Sequence, residues 1–79
     1  MITYELVTRD TIFIKGDIIR KAAGNNLYLF FEIIMELNFG WFKCYSYLDM
    51  IEPYYFYYSI DEMIKDKCEK MIVLQKKVM

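Results

Sequence analysis

The sequence predicts a small single-domain α+β protein spanning residues 1–79: an N-terminal β-hairpin, one or two short helices, an aromatic antiparallel hairpin and a C-terminal amphipathic helix. Three observations lead there. The aromatic run Tyr54-Tyr55-Phe56-Tyr57-Tyr58 favours an extended backbone, where large flat side chains fit the pleat and alternate between faces. Directly after it, Ser59 and Glu62 stand at the S-x-x-E spacing of a capping box, so a strand runs straight into a helix start. Beyond that junction Ile60, Met63, Ile64, Cys68, Met71, Leu74 and Val78 fall on one helical arc, with most charges opposite.

Taken in order, Ile2 to Val7 sets Ile2, Tyr4 and Leu6 against Thr3, Glu5 and Val7, the period of a half-buried strand. Thr8-Arg9-Asp10 reads as a polar turn, and Thr11 to Lys15 as the return strand of a hairpin. Asp17 is then placed to cap a short helix from Ile18 to Ala23, closed by Gly24. Asn25 to Gly40 satisfies two templates. As a helix it carries good formers from Leu27 to Leu37, with Glu32 and Glu36 on one solvated stripe. As a strand it alternates almost as well, and the helix is the preferred of the two.

Trp41 to Leu48 is aromatic-rich and strand-like, and Pro53 suits the start of the next strand, so Tyr54 to Tyr58 is expected to return antiparallel to it. The final helix gains Asp61–Lys65 and Asp66–Lys70 pairs at i,i+4 spacing. Two features sit badly with it: Lys67 falls inside the apolar arc, and Ile72 and Val73 fall outside it. A short terminal strand over Met71 to Leu74 is the competing reading, on the β-propensity of those residues.

Composition narrows the function classes. There is no histidine, which removes Ser-His-Asp and Cys-His catalysis and histidine-ligated metals. Two cysteines cannot build a four-thiolate zinc site, and the glycines at 16, 24 and 40 are too scattered for a phosphate loop. Neither an enzyme, a cofactor nor a metal is expected. Cys44 and Cys68 read as reduced, partly buried thiols. The start of the chain lacks the basic and apolar regions of a signal peptide, and no uncharged run is long enough to span a bilayer, so a cytoplasmic protein with no membrane partner is expected.

Apolar residues make up 57% of the chain, more than a core of this size can hide, so part of that surface is expected to meet a protein partner or a second copy. From Ala22 to Ile64 the charges are Glu32, Glu36, Asp49, Glu52, Asp61 and Glu62 against Lys43 alone, which makes the aromatic middle acidic. The expected partner-binding residues are therefore Glu32, Glu36, Tyr45, Tyr47, Glu52, Tyr55 and Tyr57, tyrosine being enriched where proteins meet. The competing reading places these rings in a core beneath the last helix. A second functional class, nucleic-acid binding through Arg9, Lys15, Arg20 and Lys21, is disfavoured by the net charge of −1. The Ile-, Lys-, Tyr- and Asn-rich composition has the style of small phage or mobile-element proteins, among which inhibitors of host proteins are common.

Overall fold

The computed structural model describes residues 1–46 and 52–73. The fold class is not the expected one: among the described residues a six-stranded antiparallel sheet, with one short α-helix packed on it, replaces the α+β arrangement. The strands are β1 (Ile2–Leu6), β2 (Ile18–Gly24), β3 (Leu27–Glu36), β4 (Trp41–Ser46), β5 (Tyr55–Ser59) and β6 (Glu69–Val73), with helix α1 (Ile60–Lys65) between the last two. Their order across the sheet is β1-β6-β2-β3-β4-β5.

Four expectations are corrected by this topology. β1 does not pair with Thr11 to Lys15, which forms no strand; it pairs with β6, Tyr4 opposite Met71. Ile18 to Ala23 is strand rather than helix. Its alternation buries Ile19 completely, while Lys21 on the same face reaches the ion pair with Asp66. Asp17 caps no helix: its carboxylate accepts from the Ile14 N–H at 2.9 Å and pairs with Lys70 at 3.3 Å. Leu27–Glu36 is also a strand, because β2 and β4 flank it and the pleat places Phe31 and Ile33 in the core. The long C-terminal helix is the fourth correction. Among the described residues of that stretch only Ile60–Lys65 is helical, and the chain then re-enters the sheet as β6; Leu74 and Val78 of the expected helix lie outside the described residues.

The helix stops for a local reason. Lys67 adopts a left-handed backbone (φ 56°), the Cys68 N–H bonds back to the Met63 carbonyl and the Lys67 N–H to that of Ile64. These are the two bonds of a Schellman motif, which turns the chain out of the helix axis. Cys68, Lys70 and Ile72 then alternate with Glu69, Met71 and Val73. The misfits in the helical arc, Lys67 inside it and Ile72 and Val73 outside it, are thus the marks of the helix end and of a strand. Asp61 and Asp66 accordingly find partners other than Lys65 and Lys70: Asp61 meets Arg9 at 2.7 Å, and Asp66 meets Lys21 at 3.4 Å.

Other expectations agree with the fold. β4 and β5 pair antiparallel, Tyr45 opposite Tyr55 and Phe42 opposite Tyr58. Ser59 accepts a 3.1 Å bond from the Glu62 N–H and faces the Glu62 carboxylate at 3.2 Å, so the side-chain cap at the strand-to-helix junction forms. Both thiols are free, and they are fully rather than partly buried. Between β3 and β4 the turn at Phe39-Gly40 has positive φ at both positions (59° and 74°) and a bond from the Trp41 N–H to the Asn38 carbonyl, the geometry of a type I′ hairpin turn.

Among the described residues one face of the sheet is covered and the other is open. Val7, Ile19, Phe31, Ile33, Phe42, Cys44, Tyr58 and Cys68 form the core on the covered face, under Met63 of α1 and Phe13 of the segment before β2. Lys70 ties that segment down, donating to the Ile12 carbonyl at 2.7 Å while it pairs with Asp17. Burial of these side chains is the main stabilising term, at about 25 cal/mol per Å2 of apolar area removed from water. No described helix is long and apolar enough to cross a membrane.

Candidate functional site

The open face follows from the register. Residues directly opposite in an antiparallel pair share a face, so Ile18, Glu32, Tyr45 and Tyr55 form one row across β2 to β5. Lys43 and Tyr57 lie in the next row, and Trp41 in the one beyond. Toward β6 the row through Arg20 holds Glu69 on one side and Phe30 on the other. Much of this face is exposed aromatic ring: Tyr55 is 58% accessible, Tyr57 61% and Trp41 41%.

Its cations are held by those rings. The Arg20 guanidinium carbon stands 3.5 Å from the centroid of Tyr4 and 4.2 Å from that of Tyr28, while its Nε donates to Glu69 at 2.9 Å. A guanidinium stacked between two rings and bonded to a carboxylate is fixed in position and neutralised. Lys43 lies 4.8 Å from the Tyr55 centroid, and Tyr55 meets Tyr45 at 4.8 Å between centroids. The face is therefore aromatic, preordered and close to neutral, with Arg20 and Lys43 set against Glu32 and Glu69.

Of the residues singled out from the sequence, the sheet brings Glu32, Tyr45, Tyr55 and Tyr57 together on this face. Glu36 is separated from Glu32. The β3–β4 register shifts between Ile33 and Met35, which puts Glu36 opposite Phe42, on the side of the core. Glu52 is exposed ahead of β5, and Tyr47 lies outside the described residues. The basic residues are dispersed. Arg9 pairs with Asp61, Lys15 is an exposed residue before β2, and Arg20 and Lys21, adjacent in β2, point to opposite faces. Sequence reasoning missed Tyr4, Arg20 as an open-face residue, Tyr28 and Trp41. The meeting of Tyr4 with Arg20 and Tyr28 depends on β6 pairing with both β1 and β2, from opposite ends of the chain.

The covered face holds a second polar cluster, at a cleft of about 290 Å3 lined by Lys21, Phe31, Ser46, Phe56, Tyr58 and Asp66 among others. The Tyr58 hydroxyl donates to Asp66 Oδ2, the Cys68 thiol donates to the Tyr58 oxygen at 3.6 Å, and Lys21 pairs with Asp66. Burial, reinforced by the Asp66 bond, pushes the Tyr58 hydroxyl well above its usual range. The Tyr58 bond, with Lys21, holds the Asp66 carboxyl below the usual carboxylate range. Burial raises both thiols, Cys44 to about 12 with Cys68 beside it. At neutral pH the tyrosine and both cysteines hold their protons and Asp66 is ionised, so none of them is an activated nucleophile or a base poised near neutrality. The cluster ties β2 and β5 to the connection between α1 and β6. Among the described residues no group of three or more acidic or cysteine side chains is gathered to hold a metal ion.

Comparison of the chain with protein-family models, with curated proteins and with solved structures finds no match.

Proposed function

We propose that this protein is a small non-enzymatic docking module that engages a protein partner through the open aromatic face of its sheet. The observation that carries the reading is the row of exposed rings across β4 and β5, continued by the Tyr4–Arg20–Tyr28 stack. Rings fixed on strands offer large contact area at little entropic cost, and aromatic and arginine side chains are the usual anchors of protein interfaces. The near-neutral charge favours a protein surface over a phosphate backbone, whose binders place their rings in a basic groove.

The test is photo-crosslinking from chosen positions. A benzophenone amino acid replacing Tyr28, Trp41 or Tyr55 is expected to capture the same protein in source cells. The same group at Ile12, exposed at the far side of the core, is expected to capture none of it. Equal capture from Ile12 overturns the docking face. An adduct destroyed by nuclease, rather than by protease, transfers the face to single-stranded nucleic acid.

A further inference from the structure

We infer that β5 is a self-complementary edge through which two copies of this chain join their sheets into one. Among the described residues β5 has a strand on one side only, β4. The Ser46 N–H bonds to the Tyr54 carbonyl at 2.9 Å, which fixes the phase of that ladder. Backbone groups alternate in direction along a strand, so Phe56 and Tyr58 also turn theirs toward β4, and Tyr55 and Tyr57 turn theirs outward. These outward N–H and C=O groups form a template for another strand.

Edge strands in folded proteins are commonly blunted by a charge, a proline or a bulge. β5 has none of these: Tyr55–Ser59 is uncharged, Pro53 precedes it, and its register with β4 is unbroken. The opposite edge, β1, carries Glu5. An unprotected edge accepts many strands, and what selects a second copy here is the sequence itself. Tyr54-Tyr55-Phe56-Tyr57-Tyr58 is a palindrome about Phe56. An antiparallel pair reads one strand against the reverse of the other, so a twofold axis at Phe56 sets Tyr55 opposite Tyr57 of the second copy and Tyr57 opposite its Tyr55. Those are the residues whose backbone groups face outward, and each such pair exchanges both of its N–H···O=C bonds.

Side chains agree with that register. Tyr55 and Tyr57 are on the open face and exposed, so the four rings of the two copies meet there with no like charges opposed. The joined sheets carry the open face across the axis. Edge pairing buries little area, below about 1,200 Å2, so association is expected in the range of roughly 10 μM to 1 mM protein.

Sedimentation of the purified chain alone tests this without reference to any other partner. The unsubstituted protein is expected to pass from monomer to dimer as concentration rises, and a monomer throughout that range overturns the proposal. Tyr57→Pro removes an outward N–H and leaves the bonds to β4 intact, so a folded Tyr57→Pro chain is expected to dimerise at least tenfold more weakly. Charge exchange then reads the register and tolerates the fold, because both side chains are exposed. Tyr55→Glu with Tyr57→Glu sets carboxylates opposite each other and is expected to abolish the dimer. Tyr55→Lys with Tyr57→Glu sets Lys opposite Glu and is expected to restore it. Equal dimerisation by both double variants overturns the Phe56-centred pairing.

Discussion

Tyr58 is the residue through which the core and the polar cluster communicate, and Tyr58→Phe isolates its hydroxyl. The substitution keeps the ring among Phe31 and Phe56, whose centroids lie 5.6 and 6.0 Å away, so packing changes little. What is lost is the hydrogen bond to Asp66 and the acceptor for the Cys68 thiol. A hydrogen bond to a charged group contributes roughly 1.5–3 kcal/mol, and the part-solvated Asp66 puts this one near the lower end, about 1.5–2 kcal/mol. For a domain of this size that corresponds to a fall in Tm of roughly 6–16 °C at about 4–8 °C per kcal/mol.

The pH dependence supplies the sharper assay. The folded-state pKa of Asp66 is lowered, chiefly by Tyr58 and then by Lys21, so its stabilising contribution is complete above the unfolded value near pH 4. It is lost as pH falls through the lower folded value. Tyr58 is raised, so its contribution is complete below the unfolded value near pH 10 and is lost at more alkaline pH. Urea unfolding of Tyr58→Phe between pH 2 and pH 11 is therefore expected to show a shallower loss on both limbs. A cycle with Asp66→Asn should give a coupling of about 1 kcal/mol or more at pH 7. Additive substitutions, or an unchanged acid limb, would refute the linkage between these two groups.

Further expectations concern the backbone and the thiols. Lys67→Gly places the residue that best tolerates a left-handed backbone at the end of α1, and chemical denaturation should show a gain of roughly 0.5–1 kcal/mol. Phe39→Asn in the type I′ turn should gain a comparable amount, since Asn-Gly is the preferred pair there and Phe39 is 98% exposed with no packing to lose. Cys44 and Cys68 should resist a thiol reagent at pH 8 in the folded chain and react promptly in denaturant, because burial raises both pKa values. Rapid labelling of the folded protein would contradict the buried positions.

Features that are local are legible in the chain alone. The aromatic β4 and β5 and the Ser59 cap on α1 are written in side chains that act within a few residues of one another. The absence of histidine and the scatter of the glycines likewise needed no coordinates to narrow the chemistry. Features that depend on distant neighbours emerge only once the strands pair. Leu27–Glu36 fits a helical and an extended period alike, and becomes β3 because β2 and β4 supply partners on both sides. Ile18 to Ala23 reads as a capped helix until Phe31 lies opposite Ile19. Residues after Asp66 follow the helical stripe well enough that only Lys67, Ile72 and Val73 betray the strand, and that strand exists because β1, more than sixty residues earlier in sequence, pairs with it. The aromatic face is of the same kind: Glu32, Tyr45, Tyr55 and Tyr57 were legible as candidates. Tyr4, Arg20 and Tyr28 joined them only when pairing between the two ends of the chain closed the sheet, since hydrogen bonds across a sheet carry no signature in local periodicity.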